Sequence, residues 1–285
     1  MLQINTILAP VDFSEFTDAQ GAAAVNLARH FGSKVVLLHV IPMFGYPHPA
    51  DATAAKAYER EFESEIRAGV EQALTDMAGR LSLGSEAERV VRKGDPAEQI
   101  YCAAKQCKAD LVVLPTAGRG VFRQSSIGSV TRKALLDLDC PVMTGVHAKP
   151  VKEDAEHPYR RIGWLATLEP GDDRALAWAR DFAAAYDAEL VALYALPWLT
   201  SLGKDVPEQQ RAEMTAHARE RIHAVMDQAG VDLPVNIRLA HFEDALRELI
   251  QVGRPEVIVT NRHRADASVD VTDTVRLSPI PVISV

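Results

Sequence analysis

The chain alternates short apolar runs with amphipathic stretches, and it does so twice in the same order. "TILAPV" is a continuous apolar run of strand length, which suits a parallel strand covered on both faces. Ala24, Leu27, Ala28 and Phe31 follow at i, i+3, i+4 and i+7 and lay one apolar stripe along a helix. Ser14 or Thr17 is placed to cap that helix and Gly32 to stop it. "KVVLLHVI" predicts a second strand, about Asp51 to Leu81 a long charged helix, and "ERVVRK" a third strand. "DPAEQIYCAAKQC" reads as a helix with proline in its first turn, and "ADLVVLP" as the fourth strand. A helix from about Ser129 to Leu138 and the strand "CPVMTGV" complete the set. Five strands joined by helical crossovers predict an open α/β sheet with helices on both faces.

The second half replays this order. "RRIGWLAT", "DDRALAWARDFAAAYDA" and "ELVALYALP" stand for the first strand, first helix and second strand. "PVNIRLA", "FEDALRELIQVG", "PEVIVTN" and "IPVISV" match the later landmarks. Asp110 and Glu256 open equivalent strands. The polar stretch "HAKPVKEDAEHPY", with two prolines, reads as a linker. The expected organisation is a tandem duplication: a domain over 1–148, a linker over 149–158 and a second domain over 159–285. Two halves of about 140 residues are each long enough to bury a real core.

Composition narrows the functional classes. A net charge of −8 disfavours a general polyanion binder, whose surface is basic. The longest apolar runs are of strand length, too short for a membrane span, and "MLQINTILAPVD" has no signal-peptide character. Cys102, Cys107 and Cys140 lie in one half without a CxxC pair and read as free thiols of a reducing compartment. The expectation is a soluble cytoplasmic protein with neither nucleic-acid nor membrane partners.

In open parallel sheets, ligands bind beyond the carboxyl ends of the strands, where strand order reverses. Asp12 sits after the first strand, where a carboxylate can accept from ribose hydroxyls or cap the next helix. The stretch "PTAGRGVFRQSSIGSVTRK" follows the fourth strand. Gly118 and Gly128 let the main chain approach phosphate oxygens, and Gly128-Ser129-Val130-Thr131 opens a helix whose N–H groups favour an anion. Ser129 and Thr131 can add hydroxyl donors, with Arg119, Arg123 and Arg132 supplying positive charge. The same residues also fit an ordinary helix start.

Other chemistries lack their signatures. There is no G-x4-G-K-[ST], "GRG" lacks a G-x-G-x-x-G continuation, and Ser126 has no G-x-S-x-G elbow. His263 reads as a solvated loop residue, and the histidines lack the i, i+4 spacing of helical metal sites. "YEREFESEIR" is most simply a solvated helix face. The loops carrying Met43, Phe44, Tyr46, Trp198 and Leu199 either pack on the domains or line an apolar ligand pocket or partner surface.

The spacing from Gly118 to Gly128-Ser129 resembles the nucleotide loop of universal stress proteins, G-x2-G-x9-G-[S/T]. "APVDFSE", "LLHVIP", "GDPAEQI", "ADLVVLP" and "CPV" extend the resemblance over the whole first half in register, and more weakly over the second. It implies a tandem universal stress protein with the adenine-nucleotide α-hydrolase-like fold, strand order 3-2-1-4-5. It also implies a stress-response regulatory role and pairing of the two domains through their last strands, with a homodimer of chains as a further option. The implied cofactor is ATP, with or without Mg2+. Asp12 would hold ribose beside Pro10 and Val11, the backbone of Val40 would meet the adenine edge, and Gly118, Gly128, Ser129, Val130 and Thr131 would hold the phosphates. Pro115 replaces the family's first glycine and has no N–H to give.

The second half departs further. Thr167 stands where Asp12 would repeat, "VTNRHRADASVDVTDTV" has no glycine, and Val269 and Asp270 align with Gly128 and Ser129. That half is expected not to bind ATP. Two alternatives stand beside nucleotide regulation: slow ATP hydrolysis, for which no general base is evident beyond Asp12, and a scaffold that binds an apolar ligand or protein near Phe44 and Trp198.

Overall fold

The computed structural model describes residues 2–42, 52–84, 87–116, 127–145, 159–197, 207–262 and 270–285, the side chains of 52–62 and 197 excepted. These residues divide into two compact units, one holding Ile4–Leu114 and the other running from Pro115 to the carboxyl terminus.

The first unit contains β1 (Thr6–Pro10), α1 (Thr17–Phe31), β2 (Lys34–Ile41), α2 (Ala52–Arg80), β3 (Glu88–Lys93), α3 (Pro96–Cys107) and β4 (Leu111–Val113). Its strands are parallel in the order β3-β2-β1-β4. Ile7, Leu8, Val36, Leu37, Leu38 and Leu111–Val113 are fully buried, so the continuous apolar runs are strands covered on both faces. Ala24, Leu27 and Ala28 bury the stripe of α1, and Gly32 ends that helix in the left-handed region at φ 68° with its N–H on the Ala28 carbonyl. The start of α1 differs from expectation. Phe16 is the N-cap and offers no side-chain bond, while Ser14 Oγ accepts from the Phe16 N–H and the Thr17 hydroxyl turns to Asp12.

The second unit contains α4 (Ser129–Asp137), β5 (Val142–Thr144), β6 (Arg161–Leu165), α5 (Asp172–Ala185) and β7 (Glu189–Pro197). It continues with α6 (Glu208–Ala229), β8 (Val235–Ala240), α7 (Phe242–Gly253), β9 (Val257–Thr260), α8 (Val271–Leu277) and β10 (Val282–Ser284). Strands β8-β7-β6-β9-β10 are parallel and adjacent in that order, the 3-2-1-4-5 arrangement expected of one repeat. The fifth strand of the first repeat, β5, runs antiparallel to β10, with Val142 opposite Ser284 and Met143 opposite Ile283. Last strand thus pairs with last strand. Arg262 secures the joint: its guanidinium donates to the carbonyls of Leu138, Cys140 (2.6 Å) and Ser284 (3.2 Å). Burial there lowers the Arg262 pKa to about 10.

The same device anchors the first strand of each repeat. Asp110 accepts from the amides of Asn5 (2.7 Å) and Thr6 (3.0 Å), and Glu256 from those of Arg160 and Arg161. The cores differ in kind. Aliphatic side chains fill the first, whereas Trp164, Phe182, Tyr159 and Tyr186 are buried in the second, with Phe182 centred 4.9–5.7 Å from three aromatic rings. Cys102, Cys107 and Cys140 form no disulfide. Among the described residues no helix is long and apolar enough to cross a membrane.

Candidate functional site

Where β1 ends, the chain is held from several sides. The Val11 N–H donates to the Leu38 carbonyl at 2.6 Å, and the Val11 carbonyl lies 2.6 Å from His39 Nδ1. A carbonyl only accepts, so that ring nitrogen carries the proton. Phe13 takes a left-handed backbone at φ 54° and sets its ring 4.8 Å from that of His39. Between these two anchors stands Asp12. Its Oδ1 accepts from the Ser14 N–H (3.0 Å) and from the Thr17 hydroxyl (3.3 Å). Fully buried Gln20 donates Nε2 to the Pro10 carbonyl (2.7 Å) and to Val113 (2.6 Å), tying the ends of β1 and β4 together. Its Oε1 has no hydrogen-bond partner among the described residues. Val40 lies within β2, in register with Arg92 and with its side chain buried.

The second group of expected residues is at the start of α4. Gly128 is the N-cap, extended at φ −65° and ψ 145°, and contributes no side-chain cap. The first-turn N–H groups of a helix have no intrahelical partner, and here no cap side chain takes them. The Gly128 N–H itself donates to the Thr116 carbonyl at 2.9 Å. Ser129 is exposed, whereas Thr131 is buried and donates its hydroxyl to the Pro115 carbonyl at 2.9 Å. A hydroxyl has one proton, so the Thr131 donor is committed to the chain and only its backbone N–H faces outward duty.

Pro10, Val11, Asp12 and Val40 therefore belong to one compact unit, and Gly128, Ser129, Val130 and Thr131 to the other. Gly118, Arg119, Arg123, Ser126, His263 and Val269 lie outside the described residues, as do Met43, Phe44, Tyr46, Trp198 and Leu199. Among the described residues no cluster of three or more His, Cys, Asp or Glu side chains is placed to hold a metal ion.

The second repeat builds both places differently. Thr167 follows β6 as Asp12 follows β1, and Leu168 repeats the left-handed backbone of Phe13 at φ 59°. A carboxylate is nonetheless present, on the first residue of α5. Asp172 is 2% exposed and accepts from the Thr167 N–H (2.8 Å), the Leu168 N–H (2.7 Å) and the Thr167 hydroxyl (2.7 Å). Gly171 before it adopts φ 101°, and a Cβ there would stand 2.9 Å from the Asn261 amide, so glycine is required. At α8 the N-cap is Asp270, the role that Gly128 has at α4. Its carboxylate accepts from the Thr272 N–H (3.0 Å) and hydroxyl (2.7 Å).

Sequence reasoning misses Gln20 and Asp172, and it reads Thr17 as a helix cap rather than as the partner of Asp12. Gln20 is signalled by a polar residue on the apolar stripe of α1, one turn before Ala24. Thr17 and Asp172 each open a helix five residues after the strand-end position, so the signal is a spacing that needs both repeats aligned.

A family model described as the universal stress protein family matches residues 3–144 and again 158–283. A universal stress protein of Methanocaldococcus jannaschii is 27% identical over 150 residues, 52% of this chain and 84% of that protein. One from Thermus aquaticus is 29% identical over 141 residues, 49% of this chain and 96% of that protein. The crystal structure of a universal stress protein from Archaeoglobus fulgidus covers 99% of this chain and 96% of that one at TM-score 0.70 and 20% identity, a likeness of fold.

Proposed function

The chain belongs to the universal stress protein family, and we propose that its first repeat binds ATP or a related adenine nucleotide, with or without Mg2+, in a regulatory role. The second repeat is its non-binding structural partner. One contrast carries this reading: α4 begins on a glycine that leaves its first-turn amides without a side-chain cap, while α8 begins on an aspartate whose carboxylate takes the Thr272 amide. Uncapped amides at a helix start favour a phosphate through their N–H groups and the helix dipole.

In this reading Asp12 accepts from the ribose hydroxyls, flanked by Pro10 and Val11, and the Val40 backbone meets the adenine edge. Gly118 and the backbone of Gly128, Ser129, Val130 and Thr131 hold the phosphates, with the Ser129 hydroxyl as an added donor. Pro115 supplies no N–H, and one missing charge-assisted hydrogen bond costs about 1.5–3 kcal/mol, or roughly tenfold or more in affinity.

A thermal titration tests the reading. Nucleotide at about 100 times its Kd stabilises a protein by about 2.7 kcal/mol. ATP should raise the Tm of the wild type, raise that of Asp12→Ala by clearly less, and leave Gly128→Val where it was. A wild-type Tm unmoved by millimolar ATP, with and without Mg2+, would remove the proposal.

A further inference from the structure

The two repeats contain the same carboxylate–hydroxyl pair with its ends exchanged. In the first, the carboxylate is on the strand end (Asp12) and the hydroxyl opens the helix five residues later (Thr17). In the second, the hydroxyl is on the strand end (Thr167) and the carboxylate opens the helix five residues later (Asp172). The exchange reverses the hydrogen-bonding sense of the two strand ends. Asp12 brings an acceptor to the end of β1, as a ligand rich in hydroxyls requires. After β6 the strand end offers donors, and Asp172 already takes three of them with both of its oxygens.

We infer that this pair decides whether a repeat's first-strand end is open to a hydroxyl-bearing ligand. Thr17 is a positioning residue that fixes the Asp12 carboxylate as an acceptor, and Asp172 is a built-in carboxylate occupant of the second repeat. Burial supports the second part: a carboxylate 2% exposed is held by donors on three sides in the manner of a bound anion. The burial of Thr17 supports the first: the residue is only 3% exposed and its hydroxyl donates to the Asp12 carboxylate at 3.3 Å. Asp270 caps α8 by the same means, so the second repeat has its own carboxylates at both places.

The Asp172 part is tested without any nucleotide. Asp172→Ala leaves two amides and a hydroxyl around a vacated carboxylate position, and its Tm should fall by roughly 5 °C or more. Sodium formate should recover most of that loss in Asp172→Ala, beyond sodium chloride at equal ionic strength, and leave the wild type unmoved. Formate acting no better than chloride would overturn the occupant. If Asp172→Ala does not fold, Asp172→Asn decides: one acceptor oxygen for three donors must lower the Tm, and a wild-type Tm would overturn it.

The Thr17 part rests on the proposed nucleotide reading. Thr17→Val should weaken ATP binding about tenfold, with Thr17→Ser near wild type. The penalty should vanish against 2′,3′-dideoxy-ATP, which has no ribose hydroxyls to offer. Equal ATP affinity in wild type and Thr17→Val would overturn the positioning role. Absence of any ATP binding by the wild type would instead overturn the proposed function and the Thr17 part together, with the formate result still deciding Asp172.

Discussion

The two repeats share a strand order, a strand-end turn and an anchor for the first strand, and they part company in the polar groups at the strand ends and helix starts. Phe13 and Leu168 have nearly the same left-handed backbone, at φ 54° and 59°. The amides after the first strand donate to the second in both, Val11 to Leu38 and Ala166 to Leu193. What differs is where the acidic side chains stand. Between the two repeats the strand order is kept, while the core side chains change from aliphatic to aromatic and the hydrogen bonds at the strand ends are rewritten. A core can be refilled with different apolar side chains while the strand order is kept, provided that the interior stays closely packed. Polar groups at a loop can be exchanged in pairs, acceptor for donor, with every bond still made.

The comparison can be broken most forcefully at Arg262, which the second repeat has where the first has Thr116. Removing its guanidinium leaves the carbonyls of Leu138, Cys140 and Ser284 without their donor. Arg262→Ala should cost about 3 kcal/mol and lower the Tm by roughly 6 °C, as scanning calorimetry would show. An unchanged Tm would mean that the β5–β10 pairing needs no such clamp.

The next largest effect is on affinity. Asp12→Ala removes an acceptor for which the Ala variant has no substitute and should weaken ATP by roughly tenfold to a hundredfold. Thr167→Asp in the second repeat should add no second site, because Asp172 and Asp270 remain. A fluorescent-nucleotide titration of both variants checks this. Pro115→Gly should work in the other direction, tightening ATP by up to about tenfold by restoring an N–H. If affinity is unchanged, the family's first glycine serves for room rather than as a donor.

The smallest effect separates the cores by pH. Burial raises the pKa of Tyr159, Tyr186 and Tyr194, all in the second repeat. A phenol whose folded pKa lies above its unfolded value of about 10 keeps its proton when the unfolded chain has lost it. Its contribution is therefore complete below pH of about 10 and is lost as pH rises beyond that. Tm measured from pH 8 upward should begin to fall near pH of about 10, and Tyr159→Phe should make that fall shallower.

Much of this frame is legible in the residues. "TILAPV", "VVLLHV" and "ADLVVLP" are strands because unbroken apolar runs of that length have no other stable use in an α/β protein. Gly32 and the proline of "DPAEQI" mark helix ends through backbone geometry that their neighbours cannot change. The cap of α1 was not legible: Ser14 and Thr17 have the right chemistry, but Asp12 two residues upstream competes for both the Ser14 amide and the Thr17 hydroxyl. Nor was the carboxylate held at the first-strand end of the second repeat. A search for the acid at Thr167 finds none, since the carboxylate comes from Asp172, one turn of chain later. Likewise the Thr131 hydroxyl reads as a phosphate donor until the Pro115 carbonyl is seen to accept from it. Tertiary partners settle such polar residues, and sequence spacing alone does not carry them.

Calorimetric titration of the whole chain with ATP tests the difference between the repeats most directly. One nucleotide per chain is the predicted stoichiometry, lost in Gly128→Val and retained in Asp270→Gly. Two nucleotides per chain, or one that persists in Gly128→Val and disappears when the second repeat is altered, would contradict it.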